Sequence, residues 1–419
     1  MHSNKSLLDE LAWRGMVYQH TDGLADALAT GSVSAYAGFD PTASSLHVGH
    51  LVPVMGLAHL QRSGHRPIAL VGGGTGMIGD PSGKTAERQL ISQEEIDANA
   101  KAIGKQLELF LDFTGSHAAR MRNNAVWLRP LKAVEFMRDV GKHFTVNYML
   151  AKDSVQSRIE GGISFTEFSY MLLQAYDFLE LSRREGVTLQ IGGSDQWGNI
   201  TAGLELIRRA DGKAAHALTM PLVTTASGTK FGKTEAGAVW LDPARTSPYK
   251  FYQYWINIDD RDAGRYLRLF TLMSREEIES LDELIASAPE KREAQQALAR
   301  EVTARVHGDE ATKVAEEVSG VLFGKANPTS LAEPVLRALS EEVPFAESRE
   351  TPSLLDALVT LKLAASKSAA RRLVEQGGVT LNGQRAAPDT DLASTKALGG
   401  GYHLLRKGAR DYGLIRVRS

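Results

Sequence analysis

The stretch that decides the fold is residues 32–50, SVSAYAGFDPTASSLHVGH. Its first part, Ser32 to Gly38, has the pattern of a short strand that ends in glycine, and an apolar helical pattern follows from about His50 to Ser63. A second short strand, Pro67 to Gly72, comes next. A strand, a helix and a strand in this order form a βαβ unit, which predicts a parallel sheet with crossover helices.

The same plan recurs later in the chain. An apolar strand, Thr188 to Ile191, leads into Gly192-Gly193-Ser194-Asp195, and a helical pattern runs from about Gly198 to Arg209. Residues 124–185 lie between the two units and look largely helical. We therefore predict an α/β fold: a Rossmann-like, parallel-sheet catalytic domain over residues 1–247, interrupted by a helical insertion at about 124–185.

The pattern changes after Pro248. Residues 259–286 and 291–323 read as charged helices without a strand signal, which predicts an α-helical domain over residues 248–325. Residues 326–351 contain three prolines amid acidic residues. That composition predicts a connecting linker.

Residues 352–419 form a small C-terminal α+β domain by their own pattern. Two helices, the second with Arg371 and Arg372, precede VTLNG at 379–383, whose Asn-Gly pair marks a hairpin. This domain has 11 Lys and Arg against 5 Asp and Glu, whereas residues 1–351 have 37 against 45. A basic module on an acidic body indicates binding to a polyanion, although a merely solvated domain would also fit.

Composition narrows the chemistry. At 419 residues and 43% hydrophobic content, the chain is long enough for a catalytic core and appended domains. It has no apolar run of about 18 residues that could span a bilayer, so we expect a soluble, cytoplasmic protein. It contains no cysteine, which excludes disulfides, thiolate nucleophiles and cysteine-based metal sites. Catalysis must therefore use histidine, lysine, carboxylates and backbone groups.

Two glycine-rich matches do not support other enzyme classes. Residues 74–79, GTGMIG, have the spacing of a dinucleotide fold, but Asp80-Pro81 follows at once and the loop comes after the second strand. Residues 79–85, GDPSGKT, imitate a P-loop, but three residues separate the glycines where four are required. Neither a dehydrogenase nor a P-loop nucleotidase is favoured.

The tetrad His47-Val48-Gly49-His50 joins the first strand to the first helix. Pro53 belongs in a helix's opening turn, so we expect the helix to begin near Gly49 or His50, with free backbone N–H groups beside both imidazoles. Three residues apart, the two rings can face one phosphate, and Gly49 allows a nucleotide to approach the backbone. The alternative is a pair of ordinary helix-capping histidines.

A second motif, GTKFGKT at residues 228–234, places two lysines three residues apart on a glycine-bearing loop. Ammonium groups on such a loop can close over phosphates and stabilise charge as diphosphate leaves. A solvated hairpin with surface lysines is the alternative.

A third motif lies in the helical insertion. Ser164 to Glu167 reads as a capping box, so a helix starts there and carries Tyr170, Gln174 and Asp177 on one polar face. A tyrosine, a carboxamide and a carboxylate in line can grip both ends of an amphipathic ligand. A solvated polar stripe is the alternative.

The order and separation of the first two motifs are similar to those of class I aminoacyl-tRNA synthetases, which carry His-Ile-Gly-His-like and Lys-Met-Ser-Lys-Ser-like signatures. Over essentially its whole length the chain resembles the bacterial tyrosyl-tRNA synthetases. One departure is Val48, where the signature often has isoleucine. The matching segments are YAGFDPT at 36–42, GDPSGK at 79–84, YMLLQAYDF at 170–178, QIGGSDQWGN at 190–199 and KFGKT at 230–234.

The resemblance implies a role for each matching residue. It implies that Tyr36 and Asp177 bind the phenolic hydroxyl of tyrosine. The other tyrosine contacts that it implies are Asp80, Tyr170 and Gln174 at the ammonium and Gln196 near the carboxylate. The catalytic contacts to phosphate are Thr42, His47, His50, Lys230, Lys233 and Thr234. The remaining ATP contacts are Gly38, Asp40, Gly49, Lys84, Arg88, Gly193 and Asp195.

The resemblance also implies the reaction. L-Tyrosine and ATP would form tyrosyl-adenylate and diphosphate, and the tyrosyl group would pass to the terminal adenosine of tRNA(Tyr). Mg²⁺ would arrive with ATP, without a dedicated metal site, a tightly bound cofactor or a membrane partner. A homodimer would form through the 124–185 insertion. The candidate tRNA contacts are Lys152, Arg208, Arg209, Arg371, Arg372, Lys407 and Arg410. One alternative is a tryptophanyl enzyme, but the indole of tryptophan has no phenolic hydroxyl for Tyr36 and Asp177 to bind. The other is a non-catalytic RNA-binding relative.

Overall fold

A computed structural model of the chain describes residues 6–82, 91–159, 161–229, 231–234, 237–323 and 328–418. The chain divides into two compact units. The first comprises Met1–Thr246 and Ile256–Val306, and the second comprises Ser247–Trp255 and His307–Ser419.

The strands of the first unit are β1 (Gln19–His20), β2 (Ser34–Phe39), β3 (Arg66–Val71), β4 (Arg120–Asn123), β5 (Leu189–Gly193), β6 (His216–Met220), β7 (Lys233–Thr234) and β8 (Gly237–Ala238). Those of the second are β9 (Phe345–Ser348), β10 (Val379–Leu381), β11 (Gln384–Arg385), β12 (Tyr402–Lys407) and β13 (Asp411–Val417).

The helices are, in chain order, α1 (Leu7–Trp13), α2 (Leu24–Thr30), α3 (Leu51–Arg62), α4 (Gln93–Leu107), α5 (Ala125–Leu128), α6 (Ala133–Asp139), α7 (Val146–Leu150), α8 (Asp153–Ile159), α9 (Phe165–Glu185), α10 (Trp197–Asp211), α11 (Pro248–Ile256), α12 (Asp260–Phe270), α13 (Arg275–Ser287), α14 (Glu293–His307), α15 (Asp309–Leu322), α16 (Glu333–Ser340), α17 (Leu354–Thr360) and α18 (Lys367–Glu375). None of these helices is long and apolar enough to cross a membrane.

The first unit is built on a six-stranded sheet in the order β1-β6-β5-β2-β3-β4. Strands β2 to β6 run parallel, and the edge strand β1 is antiparallel to β6. From β2 the chain moves outward through β3 to β4, and it then returns to the other side of β2 for β5 and β6. The direction of winding therefore reverses between β2 and β5. In open α/β sheets, ligands bind outside the carboxyl ends of the strands at such a switch point.

The two strands at the switch point separate towards their carboxyl ends. They pair over two residues, Ala35–Tyr36 of β2 against Leu189–Gln190 of β5. Both strands run on beyond this pairing, β2 to Phe39 and β5 to Gly193. A crevice opens between the two diverging ends, on the side where the chain leaves β2 for the histidine tetrad.

Helices cover both faces of the sheet and fix the crevice walls. α3 packs on β2, β3 and β5, and α10 packs on β5, β6 and α9. α9 comes close to α10 because Gly203 has no side chain: a Cβ there would lie 2.9 Å from Cδ1 of Phe178. Phe178 in turn packs edge-on against Tyr36, with ring centroids 5.2 Å apart. Through this stack the polar face of α9 is held beside β2.

α9 begins where the sequence predicts. The hydroxyl of Ser164 accepts the backbone N–H of Glu167 at 3.2 Å. The carboxylate of Glu167 accepts two N–H groups from the Arg158 guanidinium, at 3.2 and 2.8 Å, and both side chains are buried. A buried pair with this bidentate geometry ties α8 to α9.

The helices after Pro248 are more divided than the sequence pattern predicts. The run over 259–286 is two helices, α12 and α13, and Ser274 starts the second one with a capping box to Glu277. The run over 291–323 is interrupted at Gly308, whose φ of +85° ends α14 before α15 begins. No strand occurs among the described residues 248–323. Their helices are shared between the two compact units rather than forming a third one.

The prediction of a linker over 326–351 is wrong for its described part, residues 328–351. Pro334 stands in the first turn of α16, where proline starts a helix rather than breaking it. α16 buries Val335, Leu336 and Leu339. β9 follows and pairs in parallel with β13. The segment is therefore an integral part of the second unit.

The second unit contains the predicted C-terminal α+β domain. Its five strands form one sheet in the order β11-β10-β12-β13-β9. The predicted hairpin joins β10 to β11, and its turn residues Asn382 and Gly383 both have positive φ, +50° and +84°. That geometry is the reason for an Asn-Gly pair in a two-residue turn. α17 and α18 pack together on the core of this unit.

Candidate active site

A cavity of about 520 Å³ lies at the crevice between β2 and β5. Most of the site residues predicted from the sequence line it. They are Tyr36, Gly38, Asp40, Thr42, His47, Gly49, His50, Asp80, Tyr170, Gln174, Asp177, Gly193, Asp195 and Gln196. Residues separated by up to 160 positions in the sequence thus face one space.

Four predicted residues cannot be placed in this way. Lys84, Arg88 and Lys230 lie outside the described residues, and only the backbone of Thr234 is described, in β7. Lys233, another residue predicted to contact phosphate, has an exposed side chain and does not line the cavity.

Asp177 lies at the deep end of the cavity. Its Oδ2 accepts Nδ2–H of Asn124 at 2.8 Å, and its Oδ1 accepts Nε1–H of Trp127 at 2.7 Å. Burial raises the pKa of Asp177 to about 8, against the opposing effect of the two N–H donors. Both carboxylate oxygens are therefore oriented by the protein, in a site that has little water to stabilise a charge.

Tyr36 stands beside Asp177 with an unsatisfied hydroxyl. Its side chain is 1% exposed, and its hydroxyl has no hydrogen-bond partner among the described residues. Burial, with the neighbouring charge of Asp177, raises the pKa of this phenol well above its usual value. A buried hydroxyl without a partner is costly, which indicates that a ligand supplies the partner.

The middle of the cavity is a network of amides around one carboxylate. Nε2–H of Gln196 donates to Oδ2 of Asp80 at 2.7 Å, and Nε2–H of Gln174 donates to Oε1 of Gln196 at 3.2 Å. Asn199 donates to Oε1 of Gln174 at 3.0 Å. A carboxylate surrounded by neutral amides suits the binding of a ligand ammonium group.

Asp40 accepts a second set of hydrogen bonds at the wall of the cavity. The hydroxyl of Tyr170 donates to its Oδ2 at 2.9 Å, and the hydroxyl of Thr75 donates to its Oδ1 at 2.7 Å. Thr75 also accepts an N–H of Asn124 at 2.9 Å, so the chain of bonds reaches Asp177. Gly72 is required here, because a Cβ would lie 2.1 Å from Oδ1 of Asp40. Tyr170 and Asp40, predicted at different ligands, thus contact each other directly.

The two histidines of the tetrad are stacked and oriented by the backbone. A short 3₁₀ turn at Val48–His50 precedes α3, which begins at Leu51, next to the start near Gly49 or His50 that Pro53 predicts. Nδ1 of His50 accepts the N–H of His47, and Nδ1 of His47 accepts the N–H of Gly49, both at 3.1 Å. Neutral rings that accept at Nδ1 carry their proton on Nε2. With ring centroids 3.9 Å apart, two Nε2–H donors lie close enough to bind neighbouring oxygens of one phosphate chain.

Glycine is needed at position 49 for a steric reason that the sequence does not reveal. A Cβ at this position would lie 2.8 Å from Cε1 and 2.9 Å from Nδ1 of His47. The glycine is therefore needed first for the position of the His47 ring, in addition to any approach of a nucleotide. Gly38, by contrast, has open space where its Cβ would stand, on a wall of the cavity.

The histidine tetrad and the lysine motif at 228–234 are in contact, although 184 positions separate Val48 from Gly232. A Cβ on Gly232 would lie 2.8 Å from Cγ2 of Val48 and 3.3 Å from the backbone nitrogen of Gly49. Gly232 has a φ of +78°, which favours glycine independently. Val239 joins the two sides, donating its N–H to Gly232 and accepting that of Val48. The lysine-bearing loop therefore lies directly on the histidine tetrad.

The basic residues predicted at RNA have different surroundings. Lys152 donates to the Thr201 hydroxyl at 3.1 Å and lies 4.2 Å from the ring centroid of Tyr148. Arg208 and Arg209 both pair with Glu205. The four predicted in the second unit lie on α18 and at the β12–β13 turn; of these, Arg371, Arg372 and Arg410 are exposed, and Lys407 pairs with Asp411 at 3.7 Å.

Sequence reasoning missed four polar residues of the site: Thr75, Asn124, Trp127 and Asn199. Asn124 directly follows β4, whose sequence RMRN has no apolar run and was not recognised as a strand. A strand in that position would have predicted a ligand-facing residue at its carboxyl end. Asn199 lies in the quoted segment 190–199, so its position in a motif was a signal that could have identified it.

Comparisons with known proteins give a consistent result. Residues 28–324 match the family model described as tRNA synthetases class I (W and Y). Residues 336–415 match the model described as Tyrosine--tRNA ligase SYY-like C-terminal domain.

Two curated relatives and one solved structure match most of the chain. A Tyrosine--tRNA ligase of Anaeromyxobacter dehalogenans is 57% identical over 419 residues, covering 99% of this chain and 100% of that protein. One of Geobacillus stearothermophilus is 52% identical, covering 98% and 99%. The crystal structure of a C-terminally truncated Aspergillus nidulans mitochondrial tyrosyl-tRNA synthetase superposes with a TM-score of 0.70 at 30% identity, covering 77% of this chain and 95% of that one.

Proposed function

We propose, from the premise that this chain belongs to the class I tRNA synthetases of the tryptophan and tyrosine family, that it ligates tyrosine to tRNA. It activates L-tyrosine with ATP to tyrosyl-adenylate and diphosphate, and it then transfers the tyrosyl group to the terminal adenosine of tRNA(Tyr). Its relatives of 50–57% identity over the full chain carry the name of this ligase activity.

The observation that carries the choice of amino acid is the pair Tyr36 and Asp177. Asp177 offers oriented acceptor oxygens, and the buried hydroxyl of Tyr36 has no partner among the described residues. A ligand hydroxyl satisfies both, because it donates to the carboxylate and accepts from the phenol. Phenylalanine would leave both groups unpaired, and that cost rejects it. The indole N–H of tryptophan is a donor only, so it would leave Tyr36 unsatisfied.

The ammonium of tyrosine fits the middle of the cavity. Asp80 supplies the negative charge there, Gln174 and Tyr170 supply neutral acceptors, and Gln196 extends towards the carboxylate end. Because the phenol and ammonium sites lie at opposite ends of α9's polar face, they fix the ligand's direction. The carboxylate of tyrosine then points towards the histidine tetrad.

The activation step needs positioning more than proton transfer. The carboxylate of tyrosine is already a nucleophile at neutral pH; it attacks the α-phosphorus of ATP, forms the acyl–phosphate bond and displaces diphosphate. In this proposal the Nε2–H groups of His47 and His50 donate to the phosphate oxygens on which charge develops. Thr42, Lys230, Lys233 and Thr234 contribute further phosphate contacts, and so do Lys84 and Arg88. Mg²⁺ arrives as part of the ATP substrate.

ATP would lie along the wall formed by Gly38, Asp40, Gly49 and the carboxyl end of β5. Gly193 and Asp195 are proposed at the ribose. A Cβ on Gly193 would lie 2.5 Å from Oδ1 of Asp195, so glycine leaves the space that this carboxylate occupies. A carboxylate beside a sugar accepts hydrogen bonds from its hydroxyls.

In the second step a ribose hydroxyl of the terminal adenosine attacks the acyl carbon, and AMP leaves. We propose that Arg371, Arg372, Lys407 and Arg410 bind phosphates of the tRNA and that Lys152, Arg208 and Arg209 lie near its acceptor end. The +6 charge of residues 352–419 supports the first set, since phosphate contacts dominate nucleic-acid affinity. We propose a cytoplasmic location for the protein.

We also propose a homodimer through the insertion. Five apolar residues of this segment are between 61% and 78% exposed: Val126, Val134, Met137, Val146 and Phe165. Exposed apolar side chains concentrated in one segment are typical of a surface that a partner covers.

Amino-acid-dependent exchange of pyrophosphate into ATP tests the function directly. Across the twenty amino acids, tyrosine alone is expected to stimulate exchange strongly. Stimulation by tryptophan in place of tyrosine would transfer the assignment within the family, and no stimulation by any amino acid would refute the catalytic role.

A further inference from the structure

The loop at residues 224–229, which leads into the lysine motif, is bonded to α12, a helix that does not line the cavity. Residues 224–229 close on themselves: Thr225 donates its N–H to the carbonyl of Thr229 at 2.9 Å, and the two side-chain hydroxyls lie 2.6 Å apart. At the tip, the backbone N–H of Ala226 donates to Oδ2 of Asp262 at 2.8 Å. Asp262 belongs to the first turn of α12 and is 5% exposed, whereas Ala226 is exposed.

A second contact of α12 holds the same segment. The hydroxyl of Tyr266 donates to the carbonyl of Thr224 at 3.4 Å, and Nη1–H of Arg265 donates to that carbonyl at 3.3 Å. Burial, with the neighbouring charge of Asp262, raises the pKa of Tyr266 to about 12. Asp262 and Tyr266 are one helical turn apart, so they present a carboxylate and a hydroxyl to consecutive peptide groups of the loop.

The far end of the loop is fixed by aromatic packing. Phe231 is 4% exposed and stacks on Phe270 with centroids 4.8 Å apart and an interplanar angle of 13°. Tyr266 meets it edge-on at 5.0 Å. The next residue, Gly232, lies against Val48 of the histidine tetrad. α12 therefore contacts the chain before the lysine motif, at Thr224 and Ala226, and within it, at Phe231.

The carboxyl end of α12 is held by a buried arginine. Arg14, which is 3% exposed, donates to the carbonyls of Arg268 and Thr271 at 3.1 Å and to that of Met273 at 2.6 Å. These are carbonyl groups at and beyond the helix's carboxyl end, where a guanidinium satisfies acceptors that lack helical partners. α12 is therefore anchored at its carboxyl end independently of the loop.

We propose that Asp262 is a positioning residue for adenylate formation: through the Ala226 N–H it holds residues 224–229 over the ATP side of the cavity. In the observed position Gly228 and Phe231 line the same cavity as His47 and Gly49, so the loop that Asp262 holds covers the nucleotide region. The role rests on the proposed tyrosine-activating function. Asp262 touches no substrate and acts through the loop alone.

The test compares Asp262→Ala with Asp262→Asn in the full chain. The alanine variant loses the acceptor for Ala226, and kcat/KM for ATP in tyrosine-dependent pyrophosphate exchange should fall about 10- to 100-fold, the effect of one partly buried charge-assisted hydrogen bond. KM for tyrosine should stay within about twofold, because the bonds to the tyrosine pocket are untouched. The asparagine variant keeps a carbonyl oxygen at the same place and should recover to within about threefold of wild type.

Asp282→Asn is the matched control. Asp282 pairs with Arg268 of α12 and thus supports the same helix without contacting the loop. Its ATP parameters should equal those of wild type. An equal loss in Asp282→Asn and Asp262→Ala would overturn the proposal, because both would then act through the helix in general.

Trypsin cleavage after Lys233 gives a readout that needs no activity. Freed from Asp262, the loop should be cut about tenfold faster in Asp262→Ala than in wild type, while the thermal unfolding midpoint stays within a few degrees. Wild-type kcat/KM for ATP and wild-type cleavage in Asp262→Ala, or a higher kcat/KM, would refute the positioning role alone. Absence of exchange in the wild-type protein would refute the proposed function instead, and the cleavage rates would still decide whether Asp262 holds the loop.

Discussion

The indole Nε1–H of Trp127 reaches across 2.7 Å to Oδ1 of Asp177 and fixes the plane of that carboxylate from outside α9. Trp127 belongs to α5, at the start of the insertion, and 50 positions separate it from Asp177. Because Asn124 holds the other oxygen, the carboxylate cannot rotate without losing a bond. The acceptor that we propose for the phenol of tyrosine is thus oriented before any ligand arrives, which removes part of the ordering cost of binding.

Asp177 should make folding stability fall as pH rises. Burial raises its pKa from 3.8 to about 8, so between these values the unfolded chain releases a proton that the folded chain retains. Rising pH then favours unfolding, by at most about 1.4 kcal/mol per pH unit. Denaturant titrations between about pH 5 and about pH 8 should show this slope in wild type and a flatter one in Asp177→Asn. Parallel pH dependences would show that Asp177 ionises normally in the folded chain.

Asn124→Ala should weaken tyrosine binding. The substitution removes the N–H donors to Oδ2 of Asp177 and to the Thr75 hydroxyl, and it leaves both groups buried. We expect KM for tyrosine in pyrophosphate exchange to rise about 10- to 100-fold, with KM for ATP changed less than about threefold. Asn147→Ala, at an exposed position of α7, should leave both constants unchanged. An unaltered KM for tyrosine in Asn124→Ala would mean that Trp127 alone orients the carboxylate.

Gly49→Ala should slow adenylate formation. The added Cβ would lie 2.8 Å from Cε1 of His47, so the ring must shift and lose its bond from the residue 49 N–H. A displacement of about 1 Å in a group that contacts the reacting phosphate costs on the order of 100-fold in rate. Pre-steady-state measurement of adenylate formation should show this loss with the dissociation constant of tyrosine preserved.

Gly104→Ala is the control for that variant. Gly104 lies within α4, and nothing lies within 4 Å of the position of its Cβ, so alanine there should keep the wild-type rate. A Gly49→Ala enzyme that forms adenylate as fast as Gly104→Ala would show that the His47 ring does not have to occupy its observed position.

Reversing two exposed charges should separate the two steps of the reaction. Arg371→Glu combined with Arg372→Glu changes the surface of α18 without touching a buried contact, so pyrophosphate exchange should stay at the wild-type level. Aminoacylation should show a KM for tRNA raised at least about tenfold and a weaker dependence on salt. Arg337→Glu, exposed on α16 of the same unit, is the control. Wild-type tRNA charging by the double variant would place RNA binding elsewhere.

Deleting residues 352–419 would be a poorer version of this experiment. β9 precedes that cut and pairs with β13 beyond it, and α16 buries Val335 and Leu336 in the same core. Removing one strand and leaving the other would expose apolar surface, so a loss of charging would not report on RNA contacts alone.

Local patterns predicted the parts of the molecule that depend on neighbours in the chain. The helix start at Ser164, the turn at Asn382-Gly383 and the helix start beside the tetrad all follow from residues within a few positions. The polar face of α9 was predicted as well, because its helical spacing is visible in the sequence.

What the sequence could not predict depends on distant partners. Pro334 looks like a linker residue until the buried face of α16 is seen. The bonds of Asn124 and Trp127 to Asp177 join different elements, and no local pattern marks them. Gly49 was predicted as a site residue and lines the cavity, but its steric relation to the ring of His47 appears only in three dimensions.

Because Val48 contacts Gly232, the size of the side chain at position 48 sets how closely the lysine motif approaches the histidine tetrad. Isoleucine, frequent there in the signature, has one methylene more. Gly232 has no side chain that could move aside, so its backbone would have to shift. A larger residue at 48 must therefore lift the loop by a fraction of an ångström or turn its extra carbon away. In the proposed ATP complex, the spacing between the histidine tetrad and the lysine motif therefore depends on a residue that has no polar atom in its side chain.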